Sequence, residues 1–170
     1  VEILERNAPP TQGPDGLTQT QTLNEISLRA HQLVDEQYRI LNEELLPVLH
    51  SNDIYVLRRD EWTQEQILHL KQVFLSEVLP VLSPIGLDPA HPFPQVANKS
   101  LNFIVRLKGH DAFGRENEIA IVKVPRILPR FFRMPPIKGS KQTHFVSISS
   151  LIRSHLGDLF PGRQVTEFSQ

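Results

Sequence analysis

The stretch Pro80–Leu101, PVLSPIGLDPAHPFPQVANKSL, decides how the rest of the chain is arranged. It contains five prolines within fifteen residues, at Pro80, Pro84, Pro89, Pro92 and Pro94. Each proline lacks a backbone N–H and fixes φ at about −65°, so neither a helix nor a central strand fits the segment. The stretch is therefore predicted to be a shaped connector between a helical half and a strand-rich half.

Apolar residues before the connector recur at helical spacing. They stand three, four or seven positions apart, as in one stripe of an α-helix: Leu23, Ile26, Ala30, Leu33, Val34, Leu41, Leu45 and Val48. This pattern predicts a long helix from about Thr20, which Pro47 kinks or ends. Further upstream, Ala8–Gly16 contains three prolines and two glycines and is predicted to be a linker.

Two short signals precede a second helix. Asn52-Asp53 predicts a turn, and Ile54–Leu57 is β-branched and aromatic enough for a short strand. Thr63 and Gln66 have the spacing of a capping box, in which each side chain bonds to the backbone N–H of the other residue. The second helix is predicted to follow this box and to end at about Leu79.

Apolar and polar residues alternate after the connector, which indicates a half-buried strand. Leu101, Phe103, Val105 and Leu107 alternate with Asn102, Ile104, Arg106 and Lys108. Glu118–Val124 is predicted to pair antiparallel with this strand. The last predicted elements are a strand at His144–Ile148, a short helix from Ser149 or Ser150 to Leu159, and a strand at Val165–Phe168.

The predicted fold class is α+β: two long helices, a small mixed or largely antiparallel sheet, and a short late helix. The 170 residues are 39% hydrophobic and 22% charged, as in a soluble domain. A net charge of −1 argues against a nucleic-acid partner, and no apolar run approaches the ~20 residues of a membrane span. The chain has no cysteine, and we predict a cytoplasmic location. Because it begins at Val1, it is expected to be a piece of a longer protein.

Familiar catalytic patterns do not occur in the sequence, neither a GxxxxGK[ST] phosphate loop nor GxGxxG, GxSxG or HExxH. His91 is the most suggestive of the seven histidines, because Asp88 lies three residues before it. A carboxylate that orients an imidazole prepares a nucleophilic or metal-binding histidine. A metal needs about three or four convergent ligands, so we favour a structural histidine that caps the turn.

A basic segment, KVPRILPRFFRM, spans Lys123–Met134. Arg126, Arg130 and Arg133 stand four and three residues apart in it, and guanidinium groups match phosphate oxygens. The three are candidate phosphate-binding residues for a polyanion or a nucleotide. Two prolines prevent a regular helix here, so the spacing does not require a shared face. Ion pairing or a subunit interface is the favoured role.

Three ordered motifs resemble the middle, or head, domain of bacterial polyphosphate kinase of the long, histidine-phosphorylating type. They are DPAHPFPQVANKSLNFIV, VKVPRILPRFFRM and SLIRSHLGDLFPG. In that family, a strand-forming SLN segment follows a DPxHPFP connector, then come a VPxxLPRF segment and an LxDLFPG helix end. The resemblance implies that residues 18–170 are a head domain truncated at its C-terminal end. Residues 1–17 are then the tail of the preceding helical domain and a linker.

The resemblance implies a parent enzyme that reversibly transfers the terminal phosphate of ATP to inorganic polyphosphate, with Mg²⁺ and a phosphohistidine intermediate. In the family, the phosphorylated histidine and the phosphate-binding arginines lie in two later domains. No catalytic residue, metal ligand or cofactor is therefore assigned to this chain, which we expect to be inactive alone.

The role that the resemblance implies for this piece is scaffolding and subunit association. Its partners would be the remaining domains of the parent and further copies in a homo-oligomer. The alternative is a module that binds polyphosphate or nucleotide phosphates through the arginine cluster. A generic interaction domain outside the family is the third hypothesis.

Overall fold

The structure is a computed structural model that describes residues 13–14, 16–87, 93–110 and 119–170. It divides into two compact units, Val1–Asn52 and Asp53–Gln170. The first unit is helical, and the second contains two small sheets together with helices. The predicted α+β class is confirmed, with the strands divided between two sheets where the sequence predicted one.

The helical unit begins with a capping box that the sequence analysis missed. Helix α1 spans Gln19–Arg39 and is capped by Thr18, whose Oγ1 accepts a hydrogen bond from the Gln21 N–H at 3.3 Å. The Gln21 side chain accepts in return from the Thr18 N–H at 2.9 Å. The reciprocal pair satisfies two backbone donors that the first helical turn leaves open.

Pro47 does not end the first helix, contrary to one of the two predicted outcomes. After α1 the helix widens into π-helical turns over Ile40–Leu45 and then continues as α2, Leu46–Ser51. Pro47 lies in the first turn of α2, where a helix tolerates proline. The predicted turn at Asn52-Asp53 is present, and Asp53 adopts a positive φ of 60° there.

The larger sheet has the strand order β2-β4-β3-β7, and all its pairings are antiparallel. Its strands are β2 (Ser83–Gly86), β3 (Asn102–Lys108), β4 (Ile119–Lys123) and β7 (Gln164–Ser169). Along β3, Phe103, Val105 and Leu107 are buried and their neighbours in sequence are more exposed. The predicted alternation of this strand is therefore confirmed.

Part of the predicted connector is an edge strand. Strand β2 places Pro84 opposite Val122 at the border of the larger sheet. Proline lacks a ladder donor and is tolerated at a sheet edge, so the exclusion of a central strand remains correct. A short 3₁₀ turn over Leu79–Val81 leads into β2. Asp88 and His91 lie outside the described residues.

The smaller sheet has the order β1-β6-β5. Strand β1 (Ile54–Val56) pairs in parallel with β6 (Thr143–Ser147), and β5 (Phe131–Arg133) pairs antiparallel with β6. The predicted strands near residues 54 and 144 are present. The sequence analysis did not predict β5, because two prolines lie just before this three-residue strand.

Helix α3 (Gln64–Val73) provides one side of the core of the second unit. The predicted capping box is confirmed: Gln66 N donates to Thr63 Oγ1 at 3.3 Å, and Thr63 N donates to Gln66 Oε1 at 2.9 Å. The helix continues as π-helical turns over Phe74–Val78.

The predicted late helix is also present and completes the core. It consists of α4 (Ile148–Ser154), which begins after the N-cap Ser147, and a 3₁₀ turn over Leu156–Leu159. Buried residues from both sheets and from these helices form one cluster, which includes Leu70, Phe74, Val78, Phe103, Val122, Val146, Leu151 and Ile152. The two sheets therefore share one hydrophobic core.

Candidate functional site

Arg126, the first of the three predicted phosphate-binding residues, is already engaged by the protein. It follows β4, and its Nη2 donates to the backbone carbonyl of Asn98 at 2.8 Å. Lys123 at the end of β4 behaves in the same way, since its Nζ donates to the Gln95 carbonyl at 2.8 Å. The two cations thus hydrogen-bond the last part of the proline-rich connector, at Gln95 and Asn98, to the larger sheet and the residues just after it. Arg126 is exposed, whereas Lys123 is half-buried.

The other two arginines have different surroundings. Arg130 contributes its backbone carbonyl, which accepts from the Ile148 N–H at 2.9 Å and so joins β5 to the start of α4. Arg133 ends β5 with an exposed side chain, whereas its neighbour Phe132 is buried. Within the described part of the chain, the side chains of Arg130 and Arg133 make no hydrogen bond or ion pair. A shared site for all three arginines stays a prediction.

Arg133 lines a cavity of about 460 Å³ in the second unit. Helix α3 contributes His69, and the segment after β5 contributes Met134, Pro135 and Pro136. Thr143 at the start of β6 and Gln142 just before it complete the described lining. Sequence reasoning missed this grouping. No local pattern links His69 to Arg133, which lies 64 positions away in the sequence.

His155 and His144 serve the packing of the core. His155 is buried, and its ring stacks on Phe74. His144 meets the edge of the Tyr55 ring at a centroid distance of 5.6 Å, and its Nδ1 lies 3.4 Å from Nε2 of the buried Gln66. These contacts agree with structural roles for both histidines.

Across residues 13–14, 16–87, 93–110 and 119–170, no three His, Asp or Glu side chains converge to hold a metal ion. None of the described helices is both long and apolar enough to cross a membrane.

The helical unit and the two-sheet unit together define an α+β protein. Two domain models of the same family match the chain, one over most of each unit. The family model for the polyphosphate kinase N-terminal domain matches residues 2–57, and that for the polyphosphate kinase middle domain matches residues 65–170. The chain therefore belongs to the polyphosphate kinase family.

Relatives agree with this assignment. The chain is 49% identical over 153 residues to a polyphosphate kinase of Pseudomonas aeruginosa, covering 90% of the chain and 22% of the relative. It is 46% identical over 165 residues to a polyphosphate kinase of Burkholderia cenocepacia, covering 97% of the chain and 24% of the relative. The chain thus spans about a quarter or less of the length of these relatives.

A solved structure supports the fold as well. The crystal structure of polyphosphate kinase from Porphyromonas gingivalis superposes with a TM-score of 0.70 at 26% identity, over 87% of this chain and 24% of that chain. The predicted start of the head domain at residue 18 stays a prediction. The family model for the middle domain begins its match at residue 65, and the structure divides into two units after Asn52.

Proposed function

We propose that this chain is the architectural part of a polyphosphate kinase that moves the terminal phosphate of ATP reversibly to inorganic polyphosphate. Its own work is to hold domains in place and to associate subunits, while the reacting groups, ATP and Mg²⁺ belong to the rest of the parent. Phosphoryl transfer depends on positioning and charge stabilisation, so a scaffold that fixes domain placement contributes without touching the phosphate.

The observation that carries the proposal is a pair of strongly exposed apolar side chains at the start of β5 and just before it. Ile127 is 86% exposed and Phe131 is 52% exposed, and Arg130 lies between them in the sequence with an exposed side chain. We call these three residues the β5 surface. Aromatic residues and arginines are enriched in protein interfaces, where an aromatic anchor carries much of the binding energy. Folding of the chain buries little of the Ile127 side chain, so most of its apolar surface would be removed from water only when a partner covers it.

The helical unit offers a second surface of the same kind. No residue of α1 is buried within the described structure, although its apolar stripe includes Ile26, Leu33, Val34 and Tyr38. An amphipathic helix gains most of its stability when such a stripe packs against a partner. This stripe supports a role in which the unit packs against further parts of the parent protein.

Sedimentation equilibrium of the chain tests subunit association. The wild-type chain is expected to self-associate, and the double variant Ile127→Ser and Phe131→Ser to sediment as a monomer. The matched control is Leu68→Ser with Leu75→Ser, which removes two exposed apolar side chains from the α3 region of the same unit. A monomeric wild type, or equal loss of association in both double variants, would argue against the β5 surface as the interface.

A further inference from the structure

The cavity beside Arg133 is lined by hydrogen-bond donors and a positive charge. Among the described residues that line it, the polar side chains are Arg133, His69, Gln142 and Thr143, each of which is able to donate a hydrogen bond. No carboxylate is among the lining residues that the structure describes. A concave surface with donors and a fixed positive charge favours an anionic ligand over a cation.

Arg133 is available to such a ligand. Its guanidinium has no hydrogen bond or ion pair within the described part of the chain, unlike Arg126, which is engaged by Asn98. Alternation along β5 keeps it out of the core, because the preceding Phe132 takes the buried position. The planar guanidinium presents paired N–H donors in the geometry of two phosphate oxygens.

The walls of the cavity are held in place by backbone contacts. The Met134 N–H donates to the His144 carbonyl at 2.8 Å, and the Thr143 N–H donates to the Asp53 carbonyl at 2.8 Å. Pro135 and Pro136 add two residues with fixed φ. A site whose walls are already ordered binds at a smaller entropic cost than one that forms on binding.

The remaining lining is apolar. Met134 is buried at 3% exposure, and the two prolines after it complete a wall without charges. Small-molecule sites typically have volumes of about 300–1,000 Å³ and combine an apolar wall with a few convergent polar groups. The cavity of about 460 Å³ falls in that range.

We propose that this cavity binds a small phosphorylated compound, with its phosphate on Arg133 and His69 and its remaining part against Met134, Pro135 and Pro136. The site lies within one unit of the chain and needs neither Arg126 nor Arg130. It is therefore distinct from a polyanion surface that uses all three arginines together.

Titration of the chain with AMP and with inorganic pyrophosphate, followed by NMR and calorimetry, tests the site. At least one probe is expected to shift the resonances of His69 and Thr143 and to bind in a saturable way. Arg133→Gln is expected to weaken that binding by about tenfold or more, because a charge-assisted hydrogen bond contributes about 1.5–3 kcal/mol. AMP is expected to bind more tightly than pyrophosphate, because only AMP has a ring that can contact the apolar wall. The reverse order would contradict the placement of the ligand against Met134, Pro135 and Pro136.

The matched control is Arg130→Gln, which removes the same charge three residues away, outside the cavity. It is expected to leave the affinity within about twofold of wild type, because Arg130 is not among the described residues that line the cavity. His69→Gln provides a second variant, expected to weaken binding without changing the fold, because His69 is only half-buried. Absence of binding by both probes, or equal weakening by Arg133→Gln and Arg130→Gln, would overturn the proposal.

Discussion

Phe74 and His155 stack face to face, with ring centroids 4.7 Å apart and planes inclined by 16°. The contact joins the π-helical turns that follow α3 to the end of α4, and both residues are buried. A hydrogen bond at the edge of the ring also holds His155 in place, because its Nδ1 donates to the Leu151 carbonyl at 3.0 Å. The stacked pair therefore links two helical segments of the second unit inside its core.

Phe74→Ala is expected to destabilise the chain by about 3–5 kcal/mol, because it removes a fully buried ring and leaves a cavity beside His155. Leu75→Ala changes the adjacent residue, which is 46% exposed, and is expected to cost less than about 1 kcal/mol. Chemical denaturation followed by circular dichroism measures both. Similar costs for the two variants would show that the stacked pair is not a centre of the core.

The isolated chain is expected to make no polyphosphate from ATP and Mg²⁺, because the proposed function places the reacting groups in other parts of the parent. The measurement is polyphosphate synthesis by the purified chain, with the full-length Pseudomonas aeruginosa relative as the positive control. Steady synthesis by the chain alone, at a rate that follows its concentration, would contradict the architectural role.

The three-arginine hypothesis makes a separate prediction. If Arg126, Arg130 and Arg133 form one polyanion site, changing all three to alanine should lower the affinity for long-chain polyphosphate by at least about tenfold and reduce its dependence on salt. The control changes Arg29, Arg58 and Arg59 to alanine, which alters the net charge equally at other places. Unchanged affinity and salt dependence in the first variant would exclude the shared site.

Glu36 gives the helical unit a pH dependence. Hydrogen bonds from Arg39, at 2.9 and 3.0 Å, hold the pKa of the Glu36 carboxyl below its usual value. A depressed pKa stabilises the folded state above the unfolded pKa, and this contribution is lost as the pH falls through the folded value. Because the pair is exposed, the effect should be small and should weaken with salt.

Thermal melts of the chain, followed by circular dichroism from neutral pH to below about 4, measure this contribution. Glu36→Gln should flatten the acid-side loss of helix stability. Glu25→Gln, on the same helix, should keep the pH profile of the wild type. Coincident profiles for wild type and Glu36→Gln would show that the pair contributes nothing to the stability of α1.

Features that depend on neighbouring residues were predictable from the sequence. The Thr63–Gln66 capping box and the alternation of β3 depend on local spacing, and both are present. The capping box at Thr18 has the same spacing and was overlooked, although Gln21 stands three residues later. Local hydrogen bonding and one-sided burial leave a readable pattern in such segments.

Features that depend on distant residues were not predictable. Strand β5 is only three residues long and exists because β6 pairs with it, so it carries no periodicity of its own. The cavity brings His69 beside Arg133 through the packing of α3 near the smaller sheet. For the arginines, spacing in the sequence said little about surroundings, because the prolines before β5 turn Arg126 and Arg133 toward different neighbours.

Three buried core residues of α3 and the π-helical turns that follow it stand four positions apart: Leu70, Phe74 and Val78. In a regular α-helix each step of four overshoots a full turn by about 40°, so such a row drifts off one side. The π-helical turns over Phe74–Val78 hold more residues per turn and take up that drift. The number of residues in this segment is thus constrained as tightly as their kind. Deleting one of them should displace Val78 and Leu82 from the core.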